Sequence, residues 1–309
     1  MTSYPTGGQG TITMTVPLQN ARPEAQPESF LKKYARNLNL ATFAGDIDVG
    51  IGREQELQAV VTILSKRKKA NPILVGKAGT GKSQIVYDLA HKISDPSYAG
   101  PLAGKVIWEV STTSLIAGCS LVGQSEERMQ ALLNEAQNRP EVILFWDEIH
   151  TIVGAGAGSK GYNDLANIVK PAMAGTKLSI IGATTLDEYE IIKYDKALNR
   201  RLNKVTVNEL STEDVIEVIK GIQLTYERYH GIMYNDTAEY IVELSDNYGD
   251  TAQPDAAIDL LDIVGAMKKN QPDRWSKEGM NVTKEDVDSA AEFLYAKEEN
   301  SDDECTTLL

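Results

Sequence analysis

The sequence predicts an α/β fold, a parallel sheet sandwiched by helices and followed by a small all-helical domain. Three observations predict it. From about residue 50 to 209, helical and strand-like patterns alternate, which is the signature of a parallel sheet with crossover helices. The run Val142-Ile143-Leu144-Phe145-Trp146 is apolar without a break, as expected of a strand covered on both faces. After about residue 210 only helical periods remain.

The elements follow in order. Leu57, Val60, Val61 and Leu64 recur at i, i+3, i+4 and i+7, one apolar face of a helix. Asn71-Pro72 stops it, and Ile73-Leu74-Val75 is a short strand running into a glycine-rich turn. Ile85, Val86, Leu89, Ala90 and Ile93 mark the next helix, and Val106-Ile107-Trp108 the next strand. Met129, Leu132, Leu133 and Ala136 define another helix face. Glu126 and Glu127 are expected in its first turn, where carboxylates suit the helix dipole. Leu178–Ile181 and Val205–Val207 complete the strands. In the C-terminal part, Ser211 and Asp214 have capping-box spacing ahead of Val215 and Ile219. Ala238, Ile241, Val242 and Leu244 give a second helix, Pro254 opens a third, and Thr283 with Asp286 caps a fourth.

Composition bounds the function. Of 309 residues, 42% are hydrophobic and 24% charged, enough apolar material for full cores. Lys and Arg number 31 against 44 Asp and Glu, a net charge of −13, which argues against a non-specific grip on nucleic acid. No run approaches the ~18 apolar residues of a membrane span, and the N-terminus lacks a secretory pattern. Cys119 and Cys305 are far apart in sequence, so a disulfide framework is not expected. The reading is a cytoplasmic protein. Residues 1–28 read as a flexible lead-in, 29–209 as the large α/β domain, 210–296 as the small helical domain and 297–309 as an acidic solvated tail. Lys66-Arg67-Lys68-Lys69 reads as a helix C-terminus, where cations oppose the dipole.

The chemistry concentrates in three places. Gly76-Lys77-Ala78-Gly79-Thr80-Gly81-Lys82-Ser83 fits G-x-x-x-x-G-K-[ST] between a strand and a helix. Glycines let backbone N–H groups close around phosphate oxygens, Lys82 sets a cation on the β- and γ-phosphates, and the Ser83 hydroxyl is a magnesium ligand. Asp147-Glu148 ends the apolar strand. There Asp147 would hold magnesium through water, and Glu148 would polarise the water attacking the γ-phosphate. His150, two residues on, reads as a packed or surface histidine, because Glu148 fills the role of base. Gly182-Ala183-Thr184-Thr185 puts hydroxyls at a strand tip, and Arg200-Arg201 follow fifteen residues later. One or both guanidiniums can reach a neighbouring subunit's γ-phosphate and stabilise developing charge.

Together these residues resemble the Clp family of AAA+ protein unfoldases, specifically the first ATPase module of its ClpA, ClpB and ClpC types. Phe30–Leu38 resembles the family's leading helix, and Asp48-Val49-Gly50-Ile51-Gly52-Arg53 its adenine-side motif. Glu126-Glu127-Arg128, Phe145–Gly158, Asn167–Pro171, Gly182–Tyr189, Asp195–Arg201 and Gln253–Asp259 are similar to further family motifs. The resemblance spans about residues 30 to 295. It implies ATP with Mg2+ at the subunit interfaces of a hexameric ring that threads protein substrates. Under it Gly50 and Ile51 contact adenine, Thr185 is the sensor of the nucleophilic water with Thr184 beside it, Arg200 and Arg201 act in trans, and Pro254 and Asp255 close the small domain over the base.

The chain departs from the family pattern in places. Ser120-Leu121-Val122-Gly123 stands where the family has an aromatic pore residue, and Ala256 replaces its lysine. Leu121 offers less gripping area than tyrosine. The chain reads as one ATPase module standing alone. The alternatives are a nucleotide-controlled assembly or binding module, or a modulator subunit of a larger Clp-type ring, neither of which threads substrate.

Overall fold

The computed structural model describes residues 29–119, 122–153, 165–249, 251–271 and 279–299. The N-terminal lead-in, Leu121, the Gly154–Gly161 segment and residues 300–309 lie outside the described residues.

The chain opens with α1 (Phe30–Tyr34), β1 (Ala35–Asn37), α2 (Leu38–Ala44) and α3 (Glu54–Leu64). Then come β2 (Pro72–Val75), α4 (Lys82–Ser94), β3 (Val106–Val110), α5 (Thr112–Ile116) and α6 (Val122–Gln137). β4 (Val142–Trp146) leads through a 3-10 turn, Ile149–Ile152, to α7 (Ala166–Ala174) and β5 (Ser179–Thr184). α8 (Leu186–Tyr194), α9 (Lys196–Asn199) and β6 (Asn203–Thr206) close the large domain. The small domain holds α10 (Thr212–His230), α11 (Ala238–Tyr248), α12 (Asp255–Lys269) and α13 (Lys284–Glu299).

The strands form one sheet in the order β1-β3-β4-β5-β2-β6. β3, β4, β5, β2 and β6 run parallel, and β1 pairs antiparallel with β3 at the edge. Alternate residues of a strand face opposite ways, and β4 divides accordingly. Val142, Leu144 and Trp146 join a core under α1, α6 and α7. Ile143 and Phe145 join the core on the other face, with Leu38, Val60 and Ile85. All five residues are buried, which is why the run carries no polar alternation. The small domain has its own core around Ile219, Ile241, Leu261 and Val287.

Two buried asparagines staple the layers. Asn71, 1% exposed, donates from Nδ2 to the carbonyls of Met173 and Arg201, each at 3.2 Å. Its Oδ1 accepts the Ile180 N–H at 3.0 Å, so one side chain ties the start of β2 to β5 and to the approach of β6. Asn39 does the same on the opposite face. Its Nδ2 donates to Ser94 Oγ at 2.9 Å, and its Oδ1 accepts the Ile107 N–H at 2.8 Å. Both side chains satisfy backbone groups that would otherwise be buried unpaired.

Three expectations change. Phe30–Leu38 is not one helix. Ala35–Asn37 instead takes extended backbone and pairs with Val110–Trp108, and Asn37 then caps α2 by accepting the Leu40 N–H at 3.0 Å. The gain of an edge strand outweighs the helical continuation of so short a segment. Glu126 and Glu127 lie beyond the first turn of α6, because that helix begins at Val122. Lys66–Lys69 lies past the end of α3, whose C-cap is Ser65, and Lys66 Nζ donates to Asn203 Oδ1 at 2.6 Å. The caps at Ser211 and Thr283 form as expected, accepting the N–H of Asp214 and Asp286, each at 3.3 Å.

Lys268 and Asp286 form a buried ion pair, Nζ to Oδ2 at 2.9 Å, with side chains 7% and 12% exposed. Burial alone would raise the Asp286 carboxyl, but hydrogen bonds from Lys268, Gln271 and Thr283 overcome it and hold the group below the ordinary range.

Asn71→Ala leaves the Ile180 N–H and two carbonyls without this partner. It is expected to cost about 3 kcal/mol, read as a fall in the urea midpoint at unchanged slope. A carboxyl depressed in the folded state stabilises above its unfolded pKa, about 3.9, and that contribution is lost as pH falls through the folded value. The stability gap between wild type and Asp286→Asn is therefore expected to be full at neutral pH and to close in acid, measured by urea unfolding across pH.

Candidate active site

The register of the sheet brings the sequence-predicted groups together. Val75, the last residue of β2, pairs with Thr184, the last of β5. Trp146, the last of β4, pairs with Gly182. The segments that follow therefore leave the same edge of the sheet, at the carboxyl ends of parallel strands, where such sheets form ligand crevices. They line a cleft of about 1130 Å³ between the large and small domains.

The glycine-rich loop is built as the motif requires. Gly79 and Gly81 have φ of +76° and +80°, a left-handed backbone that glycine adopts without strain. Gly76 is buried against the Val207 carbonyl. Thr80 is fully buried and donates to the Lys77 carbonyl at 2.9 Å. Lys77 itself points outward to Glu209, at 2.6 Å. Ala78, Gly79, Gly81, Lys82 and Ser83 line the cleft. Lys82 Nζ donates back to the carbonyls of Gly76 and Lys77, at 3.1 and 2.6 Å. Burial pulls its ammonium below the ordinary lysine range, against the opposing pull of Asp147 and Glu188.

Ser83 Oγ donates to Asp147 Oδ2 at 2.6 Å. A hydroxyl and a carboxylate that meet in this way are hard oxygen donors of the kind that hold magnesium alongside phosphate oxygens. Glu148 follows in left-handed backbone, φ 50°, a sparsely populated conformation for a non-glycine residue and one that collects at functional sites. It is exposed on the cleft wall, and its N–H donates to Asp147 Oδ1 at 3.0 Å.

The polar tip is more heavily bonded than its spacing suggested. Thr184, 2% exposed, and Thr185 both face the cleft. Thr185 caps α8 in a complete capping box with Glu188. Glu188 Oε2 accepts from Thr185 Oγ1 at 2.7 Å and from Thr184 Oγ1 at 3.3 Å. Burial would raise this carboxyl, yet the Thr185 hydrogen bonds, His150 and Thr184 hold it low. His150 Nδ1 lies 3.0 Å from Glu188 Oε2 and 3.1 Å from Thr184 Oγ1. It is thus a largely buried histidine tied to the strand tip, and it does not itself line the cleft.

The apolar end of the cleft is shared between domains. Gly50 donates its N–H to Asp88 Oδ1 at 2.6 Å, and Gln84 ties the preceding Asp48 carbonyl to α4 at 2.9 Å. Ile51, Leu210, Val218 and Ile258 supply hydrophobic walls, a surface suited to a planar base. Pro254 and Asp255 face the glycine-rich loop across the cleft, where a Cβ built on Gly79 would lie 2.7 Å from Asp255 Cβ. Burial, with Asp259 nearby, raises the Asp255 carboxyl. Arg53, 6% exposed, donates to the Thr80 carbonyl at 2.7 Å and pairs with Glu56 at 2.9 Å. Sequence reading assigned Arg53 no such role, since nothing in a lone arginine signals that it is buried.

Arg200 and Arg201 stand apart from the cleft lining. Arg200 is exposed, and Arg201, just past the end of α9, donates to the Ala197 carbonyl of that helix. Cys119 is half-buried, its thiol 3.5 Å from the Leu115 carbonyl. Among the described residues, no helix is long and apolar enough to cross a membrane.

Comparison with known proteins agrees with this arrangement. Residues 72–210 match the family described as ATPase family associated with various cellular activities (AAA), and residues 211–307 match the AAA lid domain. The chain is 44% identical over 266 residues to the ATP-dependent Clp protease ATP-binding subunit ClpE of Lactococcus lactis, which covers 85% of this chain and 35% of that protein. It is 42% identical over 266 residues to the chaperone protein ClpB of Aquifex aeolicus, covering 85% of this chain and 26% of that one. The chain thus spans about a quarter to a third of the length of these relatives. Among solved structures it is similar to S. cerevisiae Hsp104 in a complex with casein, at TM-score 0.76 and 34% identity, covering 86% of this chain and 45% of that chain. The S. cerevisiae Hsp104–ADP complex matches at TM-score 0.76 and 33% identity, covering 89% and 47%. A glycine-rich loop, an acidic strand end and a helical lid in this order, with these relatives over most of the sequence, make the chain a member of the Clp family of AAA+ ATPases.

Proposed function

We propose that the chain binds ATP with Mg2+ in the cleft, hydrolyses it to ADP and phosphate, and works as a ring-forming remodeller of protein substrates. The observation that carries the first part is the 2.6 Å bond from Ser83 to Asp147, which joins the phosphate loop to the acidic strand end. Loop N–H groups and the N-terminus of α4 receive the phosphates. Lys82 exchanges its two backbone carbonyl partners for phosphate oxygens, whose negative charge favours the ammonium form. Ser83 and, through water, Asp147 would hold magnesium, which would supply positive charge beside the phosphates.

Glu148 takes the proton of the attacking water, and its position on the cleft wall leaves it free to do so. Thr185, with Thr184 beside it, receives that water from the other side. Gly50, Ile51, Pro254 and Asp255 hold the adenine end. This division makes residues 29–209 the chemical part and residues 210–296 the closing part.

The remodelling reading draws on the similarity to ClpE, ClpB and the Hsp104–casein complex. It assigns Arg200 and Arg201 to a neighbouring subunit's nucleotide, in keeping with their place outside this chain's own cleft. Six copies closing a ring would supply each site with those guanidiniums.

Lys82→Ala is expected to abolish nucleotide binding in a titration with a fluorescent ATP analogue. Glu148→Gln is expected to bind ATP normally while phosphate release falls at least 100-fold, the scale of a lost general base. Wild-type turnover in that variant would remove Glu148 from its role. Glu148→Gln is also expected to have the solution mass of a hexamer with ATP and a smaller mass with ADP. A monomer with both nucleotides would overturn the ring and the trans assignment of the arginines.

A further inference from the structure

The threonine tip carries an unusual concentration of hydrogen bonds on one oxygen. Glu188 Oε2 receives the Thr185 hydroxyl at 2.7 Å, the Thr184 hydroxyl at 3.3 Å and the Thr185 N–H at 3.2 Å. An ionised carboxylate only accepts, so both hydroxyl protons point to it. The His150 Nδ1, 3.0 Å from the same oxygen, must then carry a hydrogen, because a bare nitrogen lone pair there would face an anion. That hydrogen is shared with Thr184 Oγ1 at 3.1 Å.

The consequence is directional. A hydroxyl has one donor and two acceptor positions. Thr184 spends its donor on Glu188 and one acceptor on His150. Thr185 spends its donor on Glu188 and one acceptor on the Glu188 N–H at 3.4 Å. Each oxygen keeps a single lone pair, and both residues line the cleft. The tip can accept a hydrogen bond from the cleft but has no hydroxyl proton left to give.

We propose that His150 and Glu188 are a positioning pair that fixes the polarity of Thr184 and Thr185, so that the strand tip presents acceptors only. A water in the cleft must then turn an O–H toward the tip and another toward Glu148. Its lone pair is left aimed at phosphorus. The pair acts through the threonines: His150 lies outside the cleft lining, and Glu188, which borders the cleft, has its Oε2 engaged by both hydroxyls. The inference rests on the proposed ATP hydrolysis.

The test uses the intact chain. His150→Ala removes the donor, whereas His150→Asn restores an N–H near the place of Nδ1 without a titratable ring. Glu188→Gln keeps the side-chain length and the capping geometry but removes the charge that collects both protons. The expected result is a fall in kcat on the order of tenfold for His150→Ala and Glu188→Gln, with KM for ATP and the unfolding midpoint unchanged, and recovery of kcat in His150→Asn. A His150→Ala kcat within twofold of wild type overturns the pairing. So does a loss that Asn fails to recover, or one that appears in KM and stability instead. Nitrogen NMR of the histidine rings gives a second readout that needs no turnover. His150 is expected to carry its hydrogen on Nδ1, and a spectrum with hydrogen on Nε2 alone overturns the proposal even if the chain proves unable to hydrolyse ATP. Absent hydrolysis in wild type with the Nδ1 hydrogen in place would instead count against the ATPase reading.

Discussion

The hydrogen bond from Ser83 to Asp147 constrains the rest of the molecule. It joins the helix after β2 to the end of β4, yet these strands are not neighbours, since β5 lies between them. The contact forms because the chain leaving β4 bends over the sheet edge toward the loop after β2, while β5 runs on between them to Thr184. Gly182 permits that bend. A Cβ there would sit 2.8 Å from Ile149 Cδ1 and 3.0 Å from its Cγ2, so any other residue would lift the 3-10 turn off the strand. With Ile149 seated, Glu148 is held in left-handed backbone at the cleft wall. Sheet order, a missing side chain and a strained carboxylate are thus parts of one requirement.

Charge is arranged locally against the global balance. The chain as a whole is strongly acidic, yet the ligand proposed for the cleft is a polyanion. The glycine-rich loop resolves this with backbone dipoles and one ammonium, and with support from behind. Arg53 is buried against the Thr80 carbonyl, so it braces the loop from the protein side. A buried charge of this kind needs its partners, and Glu56 supplies one. The cost of hiding a guanidinium is accepted where it stiffens the one segment whose shape decides phosphate recognition.

Much of this was legible in the sequence, and the limits have physical causes. The loop, the acidic strand end and the capping residues Ser211 and Thr283 are local signals, complete within a few residues. The strands β2, β4 and β5 were legible because burial on both faces leaves near-continuous apolar runs, whereas β6, with only Val205 buried, showed itself through the short Val205–Val207 alternation alone. β1 was not, because three residues carry no period and its extended backbone depends on β3, more than seventy positions away. His150 was read as packing, since its partners Thr184 and Glu188 lie on β5 and α8 and meet it only through the fold. Asn71 was read only as a helix stop. Its three bonds to Met173, Ile180 and Arg201 appear once the layers are assembled.

The approach of Gly79 to Asp255 has a mechanical side. No side chain separates the two segments, and the space a Cβ would need is already taken by Asp255 and the Ala252 carbonyl. A close-packed contact without voids transmits displacement instead of absorbing it. Asp255 is the first residue of α12, and α12 packs against α10, α11 and α13. A shift of a few tenths of an ångström in the glycine-rich loop therefore acts on the base of a four-helix lever.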